Sequence, residues 1–321
     1  PGRAHLMGAG GVGVAGVARL LARRGWRTDG CEAAPNERTA RLAADGIPVA
    51  RGHDPDHAAP LAEARAAGRA ACLIRSTAVP ETHPEVAAAH AAGVPVLQRG
   101  ALLAAWVSAH ARSVAVCGAH GKTTTTLFTV RLLQEAGVPV EWCIGGEAAA
   151  LGEVAGRSGA ADGAWLVVEA DESDGTLALY RPRITVVTNI DLDHLEHFSG
   201  PEDLAACYRR AVDATRGGVA WCADNPAAAA VCAGRPGLSF GFHPDAGLRA
   251  TDVVCRPASV AFTVCCEGRT LGRVTLGVPG RHNVLNALAA LAAAILAAVP
   301  PAAALAHLEA ACSELPRRRF E

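Results

Sequence analysis

The sequence predicts an α/β protein built on two open, mostly parallel sheets, and three observations carry that expectation. Each half of the chain opens on a short apolar segment that runs through a glycine-rich turn into a helical stretch, at residues 4–24 and again at 113–136. Strand-length apolar segments then alternate with alanine-rich helical stretches, as a doubly wound sheet requires. The 321 residues also exceed the size at which a single hydrophobic core usually stops growing, so two domains are expected.

The elements follow in order. Residues 4–7 read as a strand, 8–13 as a glycine-rich turn, and a helix reaches residue 24 before a second strand ends near Glu32, which together form a βαβ opening. Apolar segments at 70–74 and 94–97 complete a small parallel sheet within residues 1–111. A second domain, 112–315, starts with a strand at 113–117, a turn at 118–123 and a helix to about 136. Strands are expected at 164–169, 184–189 and 219–222. Residues 249–276 alternate short strands with turns and predict a small antiparallel patch. Helices at 283–298 and 301–313 close the domain, and Pro316 with the arginines after it reads as the start of a linker, 316–321.

Composition excludes several classes. The formal net charge is −1 and the only basic run is Arg317 to Arg319, so a nucleic-acid or anionic membrane surface is not expected. No run reaches the roughly 18 uninterrupted apolar residues of a membrane span. The eleven cysteines form no CxxC pair at zinc spacing and no apolar signal segment precedes the first strand, which together fit a reducing, cytoplasmic compartment. Oligomeric state has no signature in the sequence.

Two turns carry phosphate-binding chemistry. Gly8, Gly10 and Gly13, with Gly11 between them, satisfy GxGxxG between a strand and a helix, where backbone amides approach a diphosphate. Glu32 stands where a dinucleotide fold places its ribose-binding acid, so a nicotinamide-dependent oxidoreductase is one reading of this turn alone. The second turn, Gly118, Ala119, His120, Gly121, Lys122 and Thr123 followed by Thr124, is a shortened phosphate loop, with Val116 where the longer pattern has glycine. Its amides are expected to form an anion nest, Lys122 to reach the outer phosphates and the Thr123 hydroxyl to hold Mg²⁺. Lys122 is the only lysine in the chain. A position that keeps a compact ammonium where every other basic side chain is arginine points to a cradle too narrow for a planar guanidinium. Two such loops imply two phosphorylated ligands.

Acids and histidines follow the second loop. Glu169, Asp171, Glu172 and Asp174 lie at the end of a buried strand, where hard carboxylate oxygens suit Mg²⁺. Asp191, Asp193 and His194 end the next strand, which suggests a metal or phosphate role for His194 and leaves His197 open. His282, Asn283 and Asn286 open a late helix after Gly280, and for Asn283 ordinary N-capping is an equal alternative.

The strings HLMGAGGVGVAG, GAHGKTTTT, VEADESDG, TNIDLDHLEHF, GRHNVLNALAA and RRRFE, in this order and over essentially the whole chain, resemble the Mur ligases and within them the alanine-adding branch. The resemblance implies a Rossmann-like domain for a UDP-sugar, a P-loop ATPase-type central domain, and a third domain that would follow Glu321. It implies an ATP- and Mg²⁺-dependent ligase that joins L-alanine to the carboxylate of UDP-N-acetylmuramate in peptidoglycan precursor synthesis; these 321 residues alone are expected to bind but not to complete the reaction. By motif, Gly8 to Gly13 with Glu32, Ser76, Thr77 and Arg99 would hold the UDP-sugar. The 118–124 loop would hold the ATP phosphates, His282, Asn283 and Asn286 would approach the adenine side, and Lys122, Glu169 and His194 would act at the reacting centre, with Thr123, Glu169 and His194 as metal ligands. Arg75 and Thr77 depart from the family's small, serine-rich pattern. A muropeptide-recycling Mur ligase, and in other classes the oxidoreductase or a non-catalytic nucleotide-binding fragment, are the alternatives.

Overall fold

The computed structural model describes residues 2–145, 151, 154–159, 163–191 and 197–313. The expected linker at 316–321, Asp193 and His194 lie outside the described residues. The chain divides into two compact units, with residues up to Leu103 forming most of the first and those from Ala104 most of the second.

In the first unit the order is β1 (Arg3–Met7), α1 (Val12–Arg23), β2 (Arg27–Glu32), α2 (Glu37–Ala44), β3 (Val49–Arg51), a 3₁₀ turn (Pro55–Ala58), α3 (Ala59–Ala66), β4 (Ala71–Arg75), α4 (Pro84–Ala91), β5 (Val96–Gln98) and the start of α5 (Arg99–Ala109), whose residues from Ala104 belong to the second unit. Five parallel strands stand in the order β3-β2-β1-β4-β5. The chain winds to one side of β1 and then to the other, so the turn after β1 opens at the point where the winding reverses. Met7, Cys31, Leu61, Leu73 and Val86 pack together on one face, which α3 and α4 cover. Asn36 caps α2 by accepting from the amides of Arg38 and Thr39, while Thr39 Oγ1 accepts from the Asn36 amide in return.

The second unit runs β6 (Ser113–Cys117), α6 (Lys122–Glu135), β7 (Val140–Cys143), β8 (Ala155–Ser158), β9 (Trp165–Glu169), a 3₁₀ turn (Thr176–Leu179), β10 (Ile184–Val187), α7 (Pro201–Asp213), β11 (Gly218–Cys222), α8 (Pro226–Cys232), β12 (Gly237–Gly241), β13 (Leu248–Cys255), β14 (Val260–Cys266), β15 (Arg269–Leu276), α9 (Arg281–Leu296) and α10 (Pro301–Ala311). They build one ten-stranded sheet, β15-β14-β13-β12-β11-β10-β6-β9-β7-β8. Strand β6 lies parallel between β9 and β10, so the turns after all three open on one edge. The expected antiparallel patch is the pairing of β13, β14 and β15.

Helix α9 is apolar almost all round and is buried from Ala287 to Ala294 against the sheet, α6 and α10, as such a helix must be. Its alanines let the neighbouring backbones come close. Helix α6 carries four consecutive threonines, and the buried Thr126 and Thr129 satisfy their hydroxyls by donating to the carbonyls of Lys122 and Thr125, each at 2.8 Å. The N-cap of α9 is Gly280, so Asn283 lies inside the first turn and the N-capping alternative does not hold. Among the described residues no helix is long and apolar enough to cross a membrane, and the eleven cysteines are free thiols.

Candidate functional site

In the first unit the glycine turn is held from behind. The amides of Gly8 and Ala9 donate to the Cys31 carbonyl at 3.0 and 3.1 Å, and the Gly10 amide donates to Glu32 Oε2 at 2.8 Å. The Gly10 carbonyl accepts from Asn36 Nδ2 and Arg38 Nε, and the Gly11 amide returns to Gly8. The turn's own amides are therefore spent on its shape, and the anion-facing donors are those of the first turn of α1, whose N-cap Gly11 has no side-chain cap. Glu32 serves the loop rather than standing open to a ribose.

Two further residues gather there. A Cβ at Gly13 would lie 2.7 Å from Arg99 Nη1, and one at Gly8 would lie 3.0 Å from Ser76 Cβ. Arg99 and Ser76, which follow β5 and β4, thus meet the turn from 86 and 68 residues away in the chain. Thr77 is exposed in the turn beyond Ser76. Arg75 is buried and turned to its own loop, donating to the Val79 carbonyl and pairing with Glu81.

In the second unit the loop closes around left-handed glycines. Gly121 has φ +82°, and a Cβ there would lie 2.5 Å from Asn286 Oδ1; at Gly118, with φ +136°, a Cβ would collide with Thr188 Oγ1. The Asn189 side chain grips the loop like a second peptide: its Oδ1 accepts from the His120 amide and its Nδ2 donates to the His120 carbonyl, both at 2.8 Å. The Ala119 amide is likewise taken by the Asn189 carbonyl. The nest expected from all amides of 118–123 thus loses those of Ala119 and His120, while the N-cap of α6, Gly121, has no side-chain cap.

Lys122 Nζ donates to both oxygens of Glu172 at 3.0 and 3.1 Å, and Thr123 Oγ1 donates to Glu169 Oε1 at 3.2 Å. Burial pushes the Glu172 carboxyl above its ordinary range, and the Lys122 ammonium only partly opposes that. The other two acids of the run shape the turn: Asp171 accepts from the Ser173 amide, and Asp174 from both the amide and the hydroxyl of Thr176. So the four acids divide into two that face the loop and two that cap backbone.

A cleft of about 480 Å³ lies beside this loop, lined by His120, Gly121, Thr124, Asn189, Phe240 and Asn286, with His282 and Asn283 on its rim of α9. Asn286 accepts from Thr125 Oγ1 and donates to Asn283 Oδ1, and Asn283 donates to the Pro279 carbonyl. The expected helix-start residues therefore meet the loop across a span of more than 150 residues. Sequence reasoning missed Asn189, Thr188 and Phe240 as lining residues; an asparagine closing the expected strand 184–189 beside the loop strand was the available signal for Asn189. His197 stands against Gly175 and edge-on to Phe198.

Two family models match the chain: the Mur ligase family catalytic domain over residues 3–111 and the Mur ligase middle domain over residues 116–294. Among curated relatives, a UDP-N-acetylmuramate–L-alanine ligase of Kineococcus radiotolerans is 40% identical over 100% of this chain and 66% of its own length. One of Acidothermus cellulolyticus is 39% identical over 92% of this chain and 60% of its own length. The chain thus spans less than two thirds of the length of these relatives. Among solved structures, the UDP-N-acetylmuramate-alanine ligase of Thermotoga maritima superposes with a TM-score of 0.83 at 25% identity, over 99% of this chain and 70% of that one. The UDP-N-acetylmuramate:L-alanyl-γ-D-glutamyl-meso-diaminopimelate ligase from Neisseria gives a TM-score of 0.83 at 25% identity, over 99% of both chains.

Proposed function

Because the chain belongs to the Mur ligase family, we propose that it contributes the UDP-sugar and ATP sites of an enzyme that joins L-alanine to the carboxylate of UDP-N-acetylmuramate. Residues 1–111 form the UDP-sugar domain and 112–315 the ATP domain. The observation that carries the reading is the second loop, in which the sole lysine, Thr123, Glu169 and Glu172 converge at one sheet edge beside the α9 cleft.

An amide does not form from a free carboxylate, because its carbon is a poor electrophile and hydroxide a poor leaving group. ATP supplies the γ-phosphoryl group that turns the carboxylate into an acyl phosphate, with Mg²⁺ neutralising phosphate charge; the alanine amine then displaces phosphate. The residues present fit those ligands. Left-handed Gly118 and Gly121 let the loop close against Thr188 and Asn286 where a side chain would collide, the first turn of α6 offers amides to phosphate, and Thr123 with Glu169 presents a hydroxyl and a carboxylate to a hard cation. His194 completes the proposed metal set. Lys122 would exchange Glu172 for phosphate and steady the charge that gathers during transfer, an effect worth roughly several kcal/mol in comparable sites. Asn283, Asn286 and His282 flank the cleft for the nucleoside. In the first domain, the start of α1 and Arg99 would hold the UDP diphosphate, with Gly8, Gly10, Gly11 and Gly13 giving the backbone its approach, Glu32 bracing it, and Ser76 and Thr77 toward the sugar.

Engagement of Glu32 by the Gly10 amide weighs against the nicotinamide reading, which needs that carboxylate for a ribose. The test is phosphate release with ATP and UDP-N-acetylmuramate, measured on the 321 residues joined to a complete Mur ligase C-terminal domain. Dependence on L-alanine supports the reading; faster turnover with a muropeptide than with L-alanine would assign the protein to the recycling branch instead.

A further inference from the structure

The first unit holds a four-donor cluster that the ligand loops do not use. Strands β1 and β2 lie parallel with His5 opposite Asp29 and Met7 opposite Cys31. On the face covered by α3 and α4, His5 and Cys31 meet His57 of the 3₁₀ turn and Glu85 of the first turn of α4. One nitrogen, sulfur or oxygen from each lies within 4.8 Å of all the others, the one such group among the described residues. His5, Cys31 and Glu85 are 3%, 0% and 0% exposed, whereas the His57 side chain retains 22% and leaves a way in from solvent.

The four donors lie close enough together to share a metal. His5 Nδ1 lies 2.5 Å from Asp29 Oδ1, and Arg3 holds the other Asp29 oxygen at 2.9 Å. Asp29 faces Nδ1 while Nε2 points into the cluster, the arrangement by which a carboxylate orients a metal-bound histidine; against burial, hydrogen bonds with Asp29, Cys31 and Glu85 raise the His5 pKa to about 11 in the metal-free chain, so a metal would displace the Nε2 proton. His5 Nε2 is buried and faces Glu85 Oε1 at 2.9 Å. Glu85 Oε1 is also 3.3 Å from His57 Nδ1 and 3.5 Å from Cys31 Sγ. Tetrahedral zinc, with bonds of about 2.0–2.3 Å, separates its ligand atoms by roughly 3.3–3.7 Å. Two imidazoles, a thiolate and a carboxylate are a borderline donor set that suits Zn²⁺ and not Mg²⁺.

We propose that His5, Cys31, His57 and Glu85 bind one transition-metal ion of the Zn²⁺ class in a closed, structural site. The ion ties β1, β2, the 3₁₀ turn and α4 together. It also fixes Cys31, whose carbonyl holds the Gly8 and Ala9 amides, so it braces the glycine turn from behind. The site does not depend on the function proposed above.

The test is a titration of the chelator-treated 321-residue chain with Co²⁺. The expected result is one equivalent bound with a thiolate-to-cobalt charge-transfer band and tetrahedral visible bands, bleached by one equivalent of Zn²⁺ and untouched by excess Mg²⁺. Cys31→Ser should lose the charge-transfer band, His57→Gln should weaken Co²⁺ binding at least about tenfold, and Cys255→Ser, at an exposed thiol, should change neither. Circular dichroism checks that each variant is folded; His57 is partly exposed, so its variant carries the test if Cys31→Ser is not. Absence of the band in the wild-type chain, or wild-type Co²⁺ binding in the folded variants, would overturn the proposal and leave the cluster a buried ion-pair network.

Discussion

Lys122 is paired with Glu172 through two hydrogen bonds of 3.0 and 3.1 Å, and the carboxylate is only 2% exposed. The ammonium is thus aimed along the loop by a partner that a phosphate must displace. Burial raises the Glu172 pKa in spite of Lys122, so the folded state holds this proton more tightly than the unfolded chain does. Between the ordinary carboxylate value of 4.5 and the raised one, stability should fall as pH rises. Glu172→Gln lacks that titration. The melting temperature of the variant minus that of the wild type should therefore grow from pH 4 towards neutrality; a difference that shrinks would mean that the lysine dominates the pair.

Lys122→Arg keeps the charge but not the shape. The side chain is 13% exposed between Glu172 and the Ala119 carbonyl, and a planar fork cannot take the ammonium's place there. The affinity for MgATP should drop by about tenfold or more with little change in melting temperature. Unchanged nucleotide affinity in a calorimetric titration would remove the phosphate-loop argument.

Glu169→Gln preserves an acceptor for the Thr123 hydroxyl and removes one anionic oxygen donor. Mg²⁺-dependent nucleotide affinity should fall by roughly tenfold, while affinity for UDP-N-acetylmuramate holds. Equal weakening of both ligands would contradict two separate sites.

Gly13→Ala places a methyl 2.7 Å from Arg99 Nη1 and 2.9 Å from its Cδ, so the outer half of that flexible side chain must swing aside. The fold should tolerate it, because the guanidinium can move. Moving it should cost the UDP-sugar a charge-assisted hydrogen bond, roughly 10- to 100-fold in affinity, without touching ATP. UDP-sugar binding at wild-type strength would show that Arg99 has no part in it.

Much of this was legible in the sequence because it is local. A strand, a glycine turn and a helix follow one another within 25 residues at each loop, and the shortened GAHGKT string carries its chemistry in order. The missed strands β3, β7, β8 and β12 are short or contain glycine, and they owe their existence to the neighbouring strands rather than to an apolar run. What was not legible is long-range pairing: Asn189 grips a peptide 69 residues away, which commits amides that the loop pattern alone leaves open. Of the four acids at and beyond the end of β9, only the folded chain separates Glu169 and Glu172 from the turn-capping Asp171 and Asp174. The cluster of His5, Cys31, His57 and Glu85 draws on four elements, and although His57 ends an HxxxH string that starts at His53, no motif joins it to the other three.

The central claim is that two phosphate loops serve two different ligands, and one calorimetric experiment on the 321-residue chain tests it most directly, with MgATP, UDP-N-acetylmuramate and NADH titrated in turn. The account predicts one site each for MgATP and UDP-N-acetylmuramate, either bound with the other already present, and no heat from NADH. NADH bound at one site, with neither of the other two ligands binding, would contradict it.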